Sequence, residues 1–293
     1  MNESSGSTAG IDIRHLEQWT RNEPVILTET LEQRPALGLA AMLDQSECPG
    51  IGEALPPLWQ WVYFTSVTRA SELGTDGHPV LGGFLPPVPL PRRMWAASKF
   101  RFNAPLRIGE TVQKQSRVDS VKLKQGASGP LVFVNIGHSY LVAGELRISE
   151  EQTLVYIGKE QGHKPETKGE THIGRSDWSR SIQPDPVLLF RYSALTSNTH
   201  RIHYDRDYAV NEEGHPGLLV HAPLTATLLA ELLREHCPGA HIKQFSFRAL
   251  LPLVDSMSFM IHGRREGKDS VALWALDGDG QLAVQANARV IES

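Results

Sequence analysis

The most regular apolar pattern in the chain lies in residues 222–235. Leucines recur there at i, i+4 and i+8, with two more beside them: Leu224, Leu228, Leu229, Leu232 and Leu233. This spacing predicts a helix that buries one wide face. Pro223 suits its first turn, where a missing N–H costs nothing. In the first half of the chain, residues 55–64 are a weaker candidate for an equivalent helix.

Strand-like alternation of apolar and polar residues follows each helix candidate. The segments are separated by turns rich in Gly and Asp, and they span residues 112–124, 131–142, 258–265, 270–276 and 282–291. Short alternating runs between such turns are typical of an antiparallel meander.

An offset of 145 residues aligns the beginnings of the two meanders, at residues 100–111 and 245–256. Four positions are then identical: Phe100/Phe245, Phe102/Phe247, Ala104/Ala249 and Leu106/Leu251. The repeat predicts two copies of one α+β unit, each an antiparallel sheet wrapped around an apolar helix. Chance agreement between two unrelated strands is the less favoured alternative.

The two units are separated by a polar segment punctuated by glycines, most clearly over residues 158–177. Such a segment has too little apolar surface to order itself. We therefore expect a disordered lead at 1–10, a first unit at 11–157, a linker at 158–183 and a second unit at 184–293.

Composition excludes several classes of protein. The formal charge is −4, from 29 basic and 33 acidic residues, which argues against nucleic-acid binding. No apolar run approaches the roughly 20 residues of a membrane helix, and no secretory signal is recognisable at the N-terminus. Cys48 and Cys237 form no disulfide framework or CxxC motif, which fits a cytoplasmic protein.

Candidate chemistry is concentrated in residues 190–205, Phe-Arg-Tyr-Ser-Ala-Leu-Thr-Ser-Asn-Thr-His-Arg-Ile-His-Tyr-Asp. His200 and His203 lie three residues apart, after a strand-like apolar run and before the helix at 222–235. A metal site needs three or four ligands at recognisable spacing, and no carboxylate or cysteine falls in register with this pair. Acid/base chemistry is therefore favoured over metal binding. A buried structural role is the alternative, and it is favoured for His200 alone.

The motif resembles that of the double-hotdog, MaoC-like hydratases and dehydratases. Their pattern is roughly Tyr-Ser-x-Leu-Thr-Gly-Asp-x-Asn-Pro-Ile-His, followed by a helix that opens with Val-His-Gly. This chain matches it at Tyr192, Ser193, Leu195, Thr196, Ile202, His203, Val220 and His221. The form Asn-Thr-His-Arg-Ile-His is similar to a branch that includes mitochondrial hydroxyacyl-thioester dehydratases and bacterial mesaconyl-C4-CoA and itaconyl-CoA hydratases. The resemblance implies a tandem hotdog fold from about Ile11 onward.

The resemblance also implies roles for individual residues. His203 would be the acid/base, because histidine titrates near neutrality. The N–H of Ala222, at the start of a helix, would bind the thioester carbonyl. Tyr192 and Thr196 match the motif and are expected at the substrate. No cofactor is implied beyond the coenzyme A of the substrate.

Three of the candidate site residues depart from the family pattern. The catalytic aspartate is Asn198, which cannot accept a proton and could only orient water or a substrate group. Ala222 replaces a glycine. Arg201 stands at the proline of the pattern, and its planar fork could bind a carboxylate or phosphate. Arg92 and Arg93 are further candidates for anionic parts of the ligand, with a solvated basic loop as the equal alternative. Glu150 and Glu151 are predicted to be solvated.

We therefore expect one active site per chain, located in the second unit. The expected activity is that of an enoyl-CoA hydratase, which would convert a C5-dicarboxylic substrate, itaconyl-CoA or mesaconyl-C4-CoA, to citramalyl-CoA. A hydroxyacyl-thioester dehydratase, a hotdog thioesterase and a non-catalytic acyl-thioester binder are the alternatives. A homodimer is possible.

Overall fold

The computed structural model describes residues 10–65, 67–126, 129–158 and 174–292. Its ten strands form one antiparallel sheet in the order β1-β3-β4-β5-β2-β7-β10-β9-β8-β6. The strands are β1 Val25–Thr30, β2 Arg92–Phe102, β3 Thr111–Gly126, β4 Gly129–Val142, β5 Glu145–Ile157, β6 Trp178–Ile182, β7 Ala240–Ala249, β8 Phe259–Arg265, β9 Ser270–Leu276 and β10 Leu282–Glu292. The α-helices are α1 Ile13–Glu17, α2 Gln33–Met42, α3 Pro186–Thr196 and α4 Ala222–His236. Both predicted meanders are thus confirmed.

The two units meet where β2 pairs with β7, and this pairing explains the sequence repeat. Phe100 lies directly opposite Phe245, its equivalent under the 145-residue offset. Strands β2 and β7 correspond to each other in the repeat, and they pair antiparallel at corresponding residues. A local two-fold axis at the Phe100–Phe245 pair therefore relates the two strands. The fold is therefore the expected α+β tandem hotdog, with both halves in one continuous sheet.

The second unit has the predicted central helix. Residues Pro223–Leu233 of α4 are all buried, and the helix packs on β6 to β10. The first unit differs from the prediction. Residues 55–64 contain only a 3-10 turn, Trp59–Val62, because Pro56 and Pro57 supply no N–H donors and Leu58 takes a left-handed φ of 72°. Without a long helix here, the inner face of the β2–β5 sheet partly lines a cavity.

The apolar run before the histidine motif was expected to be strand-like and is instead α3. The Asp185 carboxylate caps this helix by accepting a hydrogen bond from the Leu188 N–H at 2.7 Å, and Ser197 ends it with φ of 49°. Val187 and Phe190 stay exposed while Leu189 is buried, which is a helical pattern and not an alternating one.

Two predicted segments fall partly outside the described residues: 1–9 of the N-terminal lead and 159–173 of the linker. The last residues of the predicted linker form β6, which pairs with β8, so the second unit begins before residue 184. Within the described ranges, no helix combines the length and apolar character needed to cross a membrane.

Candidate active site

A cavity of about 1300 Å³ is lined by residues of both units. Most of the residues predicted from the sequence contribute to its wall: Arg92, Arg93, Tyr192, Thr196, Asn198, His203 and Ala222. Arg201 is the exception and does not line it. The first unit adds residues that the sequence motif did not include, among them His78, Lys114 and Glu150.

His203 is held in one orientation and one tautomer. It lies in the 3-10 turn Arg201–His203, and its Nδ1 is 2.8 Å from the carbonyl oxygen of Leu219. A carbonyl only accepts, so Nδ1 carries the hydrogen and Nε2 of the neutral ring keeps a lone pair. Burial lowers the pKa of His203 to about 4. The ring is therefore neutral at pH 7 and can act as a base through Nε2.

Ala222 is the first residue of α4, preceded by His221. The first N–H groups of a helix have no acceptor inside it, and the Ala222 N–H meets none elsewhere in the described structure. This N–H lies at the positive end of the helix dipole and belongs to the cavity wall. It is therefore suited to bind an oxygen that gains negative charge.

His221 supports the site from behind. Its ring stacks on His203, and its Nε2 is 2.9 Å from the Ser193 hydroxyl on α3. Tyr192, also on α3, packs its ring edge-on against His221 at 4.9 Å. The Thr196 hydroxyl donates to the Tyr192 carbonyl at 2.7 Å, one helical turn earlier. These contacts join α3 to the first turn of α4.

Asn198 takes the first position after the left-handed residue that ends α3. Its side-chain oxygen accepts a hydrogen bond from the His200 N–H at 3.0 Å. The amide group remains as a donor on the cavity wall. Asn198 can therefore orient a water molecule or a substrate oxygen, whereas it cannot take up a proton.

A loop from the first unit, residues 74–78, completes the site and was missed in the sequence. The Arg201 N–H donates to the Asp76 carbonyl at 2.9 Å, and the Thr199 hydroxyl donates to the Gly77 carbonyl. His78 bonds the Asp76 carboxylate through Nδ1 at 2.9 Å, and its ring lies 4.0 Å from that of His200. The only local signal was the turn-forming Asp-Gly pair.

Asp76, His78 and His200 bring three possible metal-ligand atoms within 4.8 Å of one another. Burial lowers the pKa of His78 and of His200, and the positive charge of Arg93 lowers both further. The same charge acts against a bound cation. The contacts that these residues make, from His78 to the Asp76 carboxylate and against the ring of His200, show hydrogen bonding and packing.

The three predicted arginines are in different situations. Arg92 is paired with Glu213, with 2.9 Å between Nε and Oε2 and little exposure of either side chain. Arg201 is paired with Asp205 at 2.8 Å and also donates to the Thr75 carbonyl. Arg93 lines the cavity and forms no ion pair within 4 Å of a described carboxylate. Its guanidinium lies near the Tyr156 hydroxyl and is the one of the three without a carboxylate partner among the described residues.

Glu150 was expected to be solvated and is instead buried, with 2% exposure. The alternation of a strand explains the error, because Glu150 points inward while Glu151 points to solvent. A buried carboxylate on the inner face of a sheet marks a second polar region of the cavity.

Comparison with known proteins agrees with this geometry. The family model for hydroxyacyl-thioester dehydratase type 2 matches residues 58–255, which include the histidine motif and the start of α4. The chain belongs to this family, whose described activity is that of a hydro-lyase. It is 44% identical over 256 residues to the mesaconyl-C(4)-CoA hydratase of Chloroflexus aurantiacus, covering 87% of this chain and 91% of that protein. It is 27% identical over 259 residues to the mitochondrial hydroxyacyl-thioester dehydratase type 2 of Schizosaccharomyces pombe, covering 78% and 86%.

Solved structures support the fold. HtdX from Mycobacterium tuberculosis matches with a TM-score of 0.67 at 15% identity, covering 92% of this chain and 99% of that one. A MaoC-like dehydratase from Phytophthora capsici matches with a TM-score of 0.65 at 14% identity, covering 97% and 100%. Both confirm the MaoC-like double hotdog.

Proposed function

We propose that this chain hydrates an enoyl-CoA thioester, with His203 as the acid/base. The observation that carries the proposal is the Leu219 carbonyl on Nδ1 of His203, which leaves a lone pair on Nε2. The Ala222 N–H, at the start of a helix, lies on the wall of the same cavity. A base and an oxyanion donor in one enclosed space are what water addition to a conjugated thioester requires.

The proposed reaction balances with these groups alone. Nε2 of His203 takes a proton from water as the water oxygen bonds to the β-carbon. The electron pair of the double bond moves toward the thioester carbonyl, whose oxygen the Ala222 N–H stabilises. The protonated His203 then returns its proton to the α-carbon, which restores the thioester and the neutral ring.

Asn198 contributes position in this scheme. Because it has no titratable group, it replaces the family's aspartate only as a donor that orients the attacking water. His203 therefore carries both proton transfers. The low pKa of His203 favours the return of the proton, because a ring that resists protonation gives up its proton readily.

We further propose a C5-dicarboxylic substrate with citramalyl-CoA as the product. Mesaconyl-C4-CoA has its double bond conjugated to the thioester and fits the scheme directly, whereas itaconyl-CoA would take its proton at the terminal methylene carbon instead of the α-carbon. This finer assignment rests on the 44% identity to a protein named mesaconyl-C(4)-CoA hydratase. The reverse reaction, dehydration of a hydroxyacyl thioester, would use the same residues and is the second candidate, favoured by the family's description.

The test uses the purified full-length protein with itaconyl-CoA, mesaconyl-C4-CoA and crotonyl-CoA, with mass spectrometry to follow the gain of one water. We expect turnover of at least one dicarboxylic substrate at a higher kcat/KM than crotonyl-CoA. Absence of turnover on every enoyl-CoA and hydroxyacyl-CoA would contradict the proposal. Release of free thiol without water addition would indicate a thioesterase, and binding without any reaction would indicate a non-catalytic thioester binder.

A further inference from the structure

The inner face of the first unit's sheet carries a polar group where a hotdog sheet normally packs against its helix. Its members come from four adjacent strands: Ser98, Lys114, Ser116, His138, Tyr140, Glu150 and Gln152. They are neighbours in register, since Lys114 lies opposite Tyr140 and His138 lies opposite both Ser116 and Glu150. Because the first unit has no long central helix, this group faces the cavity.

Two titratable members of the group are already satisfied. Glu150 accepts hydrogen bonds from the Ser98 hydroxyl at 3.1 Å, the Tyr140 hydroxyl at 3.2 Å and the Trp61 indole N–H at 3.4 Å. His138 is bonded to Ser116 at 2.7 Å and to Gln152 at 3.1 Å. Both ring nitrogens of His138 are thus occupied, and each carboxylate oxygen of Glu150 already accepts at least one hydrogen bond.

Lys114 differs from these neighbours. Its side chain lines the cavity, and its ammonium lies 5.5 Å from the centre of the Tyr140 ring. Within the described residues, it forms no ion pair shorter than 4 Å and donates no hydrogen bond. An ammonium withdrawn from bulk water without a close counter-ion is costly, and an anion that entered the cavity would offset that cost.

The neighbouring carboxylate fills this role only in part. Burial raises the pKa of Glu150 and lowers the pKa of Lys114, and the charge of each group partly offsets the effect of burial on the other. Glu150 is also held by three donors on other residues. Lys114 therefore interacts with the Glu150 charge only through space, without a hydrogen bond or a close ion pair among the described residues, and the hydrogen-bond positions of its ammonium remain for a ligand.

A continuous wall connects this group to the proposed catalytic residue. His203 stacks on His221, and His221 contacts the Tyr192 ring. Tyr192, Glu150 and Lys114 all line the same cavity. An acyl chain bound at His203 can thus extend along Tyr192 toward Lys114.

We propose that the Lys114 ammonium binds a free carboxylate on the acyl group of the substrate, and so selects dicarboxylic over monocarboxylic acyl-CoA thioesters. This inference rests on the proposed function and adds the residue that sets the substrate class. Arg93 is the competing anchor. Burial raises the pKa of the Asp76 carboxyl, but its bonds to His78 and, to a lesser degree, the charge of Arg93 lower it overall, so Arg93 already interacts with one anion. The anion near Lys114 is Glu150, which three other residues hold.

The experiment compares Lys114→Met with Lys122→Met, a control on the exposed face of the same strand. Each is assayed with mesaconyl-C4-CoA and with crotonyl-CoA, which lacks the second carboxylate. We expect kcat/KM of Lys114→Met to fall about ten- to hundredfold further for mesaconyl-C4-CoA than for crotonyl-CoA, as for loss of a charge-assisted hydrogen bond. The loss should appear mainly in KM, and Lys122→Met should keep the wild-type ratio.

Calorimetric binding of succinyl-CoA and butyryl-CoA separates this inference from the proposed function, because it requires no turnover. Wild type should prefer succinyl-CoA, and Lys114→Met should lose that preference. The assignment would be overturned if Lys114→Met lost equal affinity for both ligands or kept the wild-type preference. It would also be overturned if the preference were lost in Arg93→Met but not in Lys114→Met. If no enoyl-CoA reacts but the binding preference depends on Lys114, only the hydratase proposal fails.

Discussion

The imidazole rings of His203 and His221 stack, with centroids 3.6 Å apart and planes inclined by 19°. The hydrogen bond from Nδ1 of His203 to the Leu219 carbonyl fixes the ring at its edge, and His221 fixes it at its face. His221 is itself tied to Ser193. The base of the proposed reaction is thus restrained in two directions by residues that take no part in proton transfer.

This stacking predicts different outcomes for two substitutions at His221. His221→Ala leaves a void beside His203 and should cost about 2–4 kcal/mol of unfolding free energy, with a fall in kcat larger than any rise in KM. His221→Phe keeps a ring in place and leaves only the Ser193 hydroxyl without its partner, at about 1 kcal/mol. Urea unfolding and steady-state kinetics measure both effects. Equal kcat values for the two variants would show that the ring contact is irrelevant.

His203 and Asn198 should differ sharply when each is replaced. His203→Gln removes the base, and we expect kcat to fall about 10²- to 10⁴-fold. Asn198→Ala removes a water-orienting donor and the acceptor of the His200 N–H but no proton-transfer group, so its effect should be about tenfold or less. Binding of a saturated acyl-CoA, measured by calorimetry, controls for misfolding. Similar losses in the two variants would mean that His203 does not carry the proton transfers alone.

The sequence predicted those elements whose pattern is local. Helix α4 and the meanders follow from periodicity over ten or more residues. The four-residue apolar run in α3 was too short to distinguish a helix from a strand. The prolines at 56 and 57 broke a helix that hydrophobicity alone favoured. Glu150 was misjudged because a single inward-facing charge has no local signature.

Only the part of the site that the second unit contributes was predictable from the sequence motif. His203 and Ala222 follow from one contiguous pattern around α3 and α4. His78 and Lys114 reach the same cavity from the first unit, more than 80 residues before His203 in the chain. Their contribution depends on the pairing of β2 with β7, which composition and periodicity do not reveal.

Gly77 is predicted to be essential for joining the first unit to the histidine motif. A Cβ at this position would lie 1.9 Å from the Thr199 carbonyl oxygen, and the φ of +87° is itself unfavourable for other residues. Gly77→Ala should displace residues 74–78 and reduce kcat/KM by about tenfold or more, as expected for a misplacement near 1 Å.

Gly82→Ala is the matched control for this effect. Gly82 also has a positive φ, of +102°, but its added Cβ would meet only Pro87, at 3.9 Å. Both variants carry backbone strain of about 1 kcal/mol, and only Gly77→Ala carries the clash. Thermal unfolding and kinetics of the pair isolate the contact with Thr199. Comparable activities would contradict a role for this close approach.

Arg92 and Arg93 are neighbours in sequence and should respond differently to substitution. Arg92→Met breaks a largely buried ion pair with Glu213 and should lower unfolding free energy by about 3 kcal/mol. Arg93→Met removes a cation with no paired carboxylate, so it should raise KM for acyl-CoA substrates and change stability little. The free energy of urea unfolding and KM, measured on both variants, test this separation. A rise in KM confined to Arg92→Met would reverse the assignment.

The low pKa of His203 predicts an unusual pH profile. The base must be neutral, and the pKa of about 4 keeps it neutral well below the range of an ordinary histidine. We expect kcat/KM to stay level from pH 8 to about pH 5, where a base with a pKa of 6.5 would already have lost more than tenfold. A decline centred near pH 6.5 would show that the free enzyme does not hold His203 as described.

Acid stability provides the necessary control for that profile. Burial also lowers the pKa of His138, to about 3. In the unfolded state, His138 and His203 bind protons as the pH falls below about 6.5. In the folded state, they bind protons only near pH 3–4. Stability is then greatest above pH 6.5 and falls as the pH decreases toward those lower values, by about 2 kcal/mol per histidine at pH 5. The melting temperature should therefore fall between pH 7.5 and pH 5 while kcat/KM, measured well below the melting temperature, stays level. A melting temperature that rises on acidification would contradict the buried, neutral state of both rings.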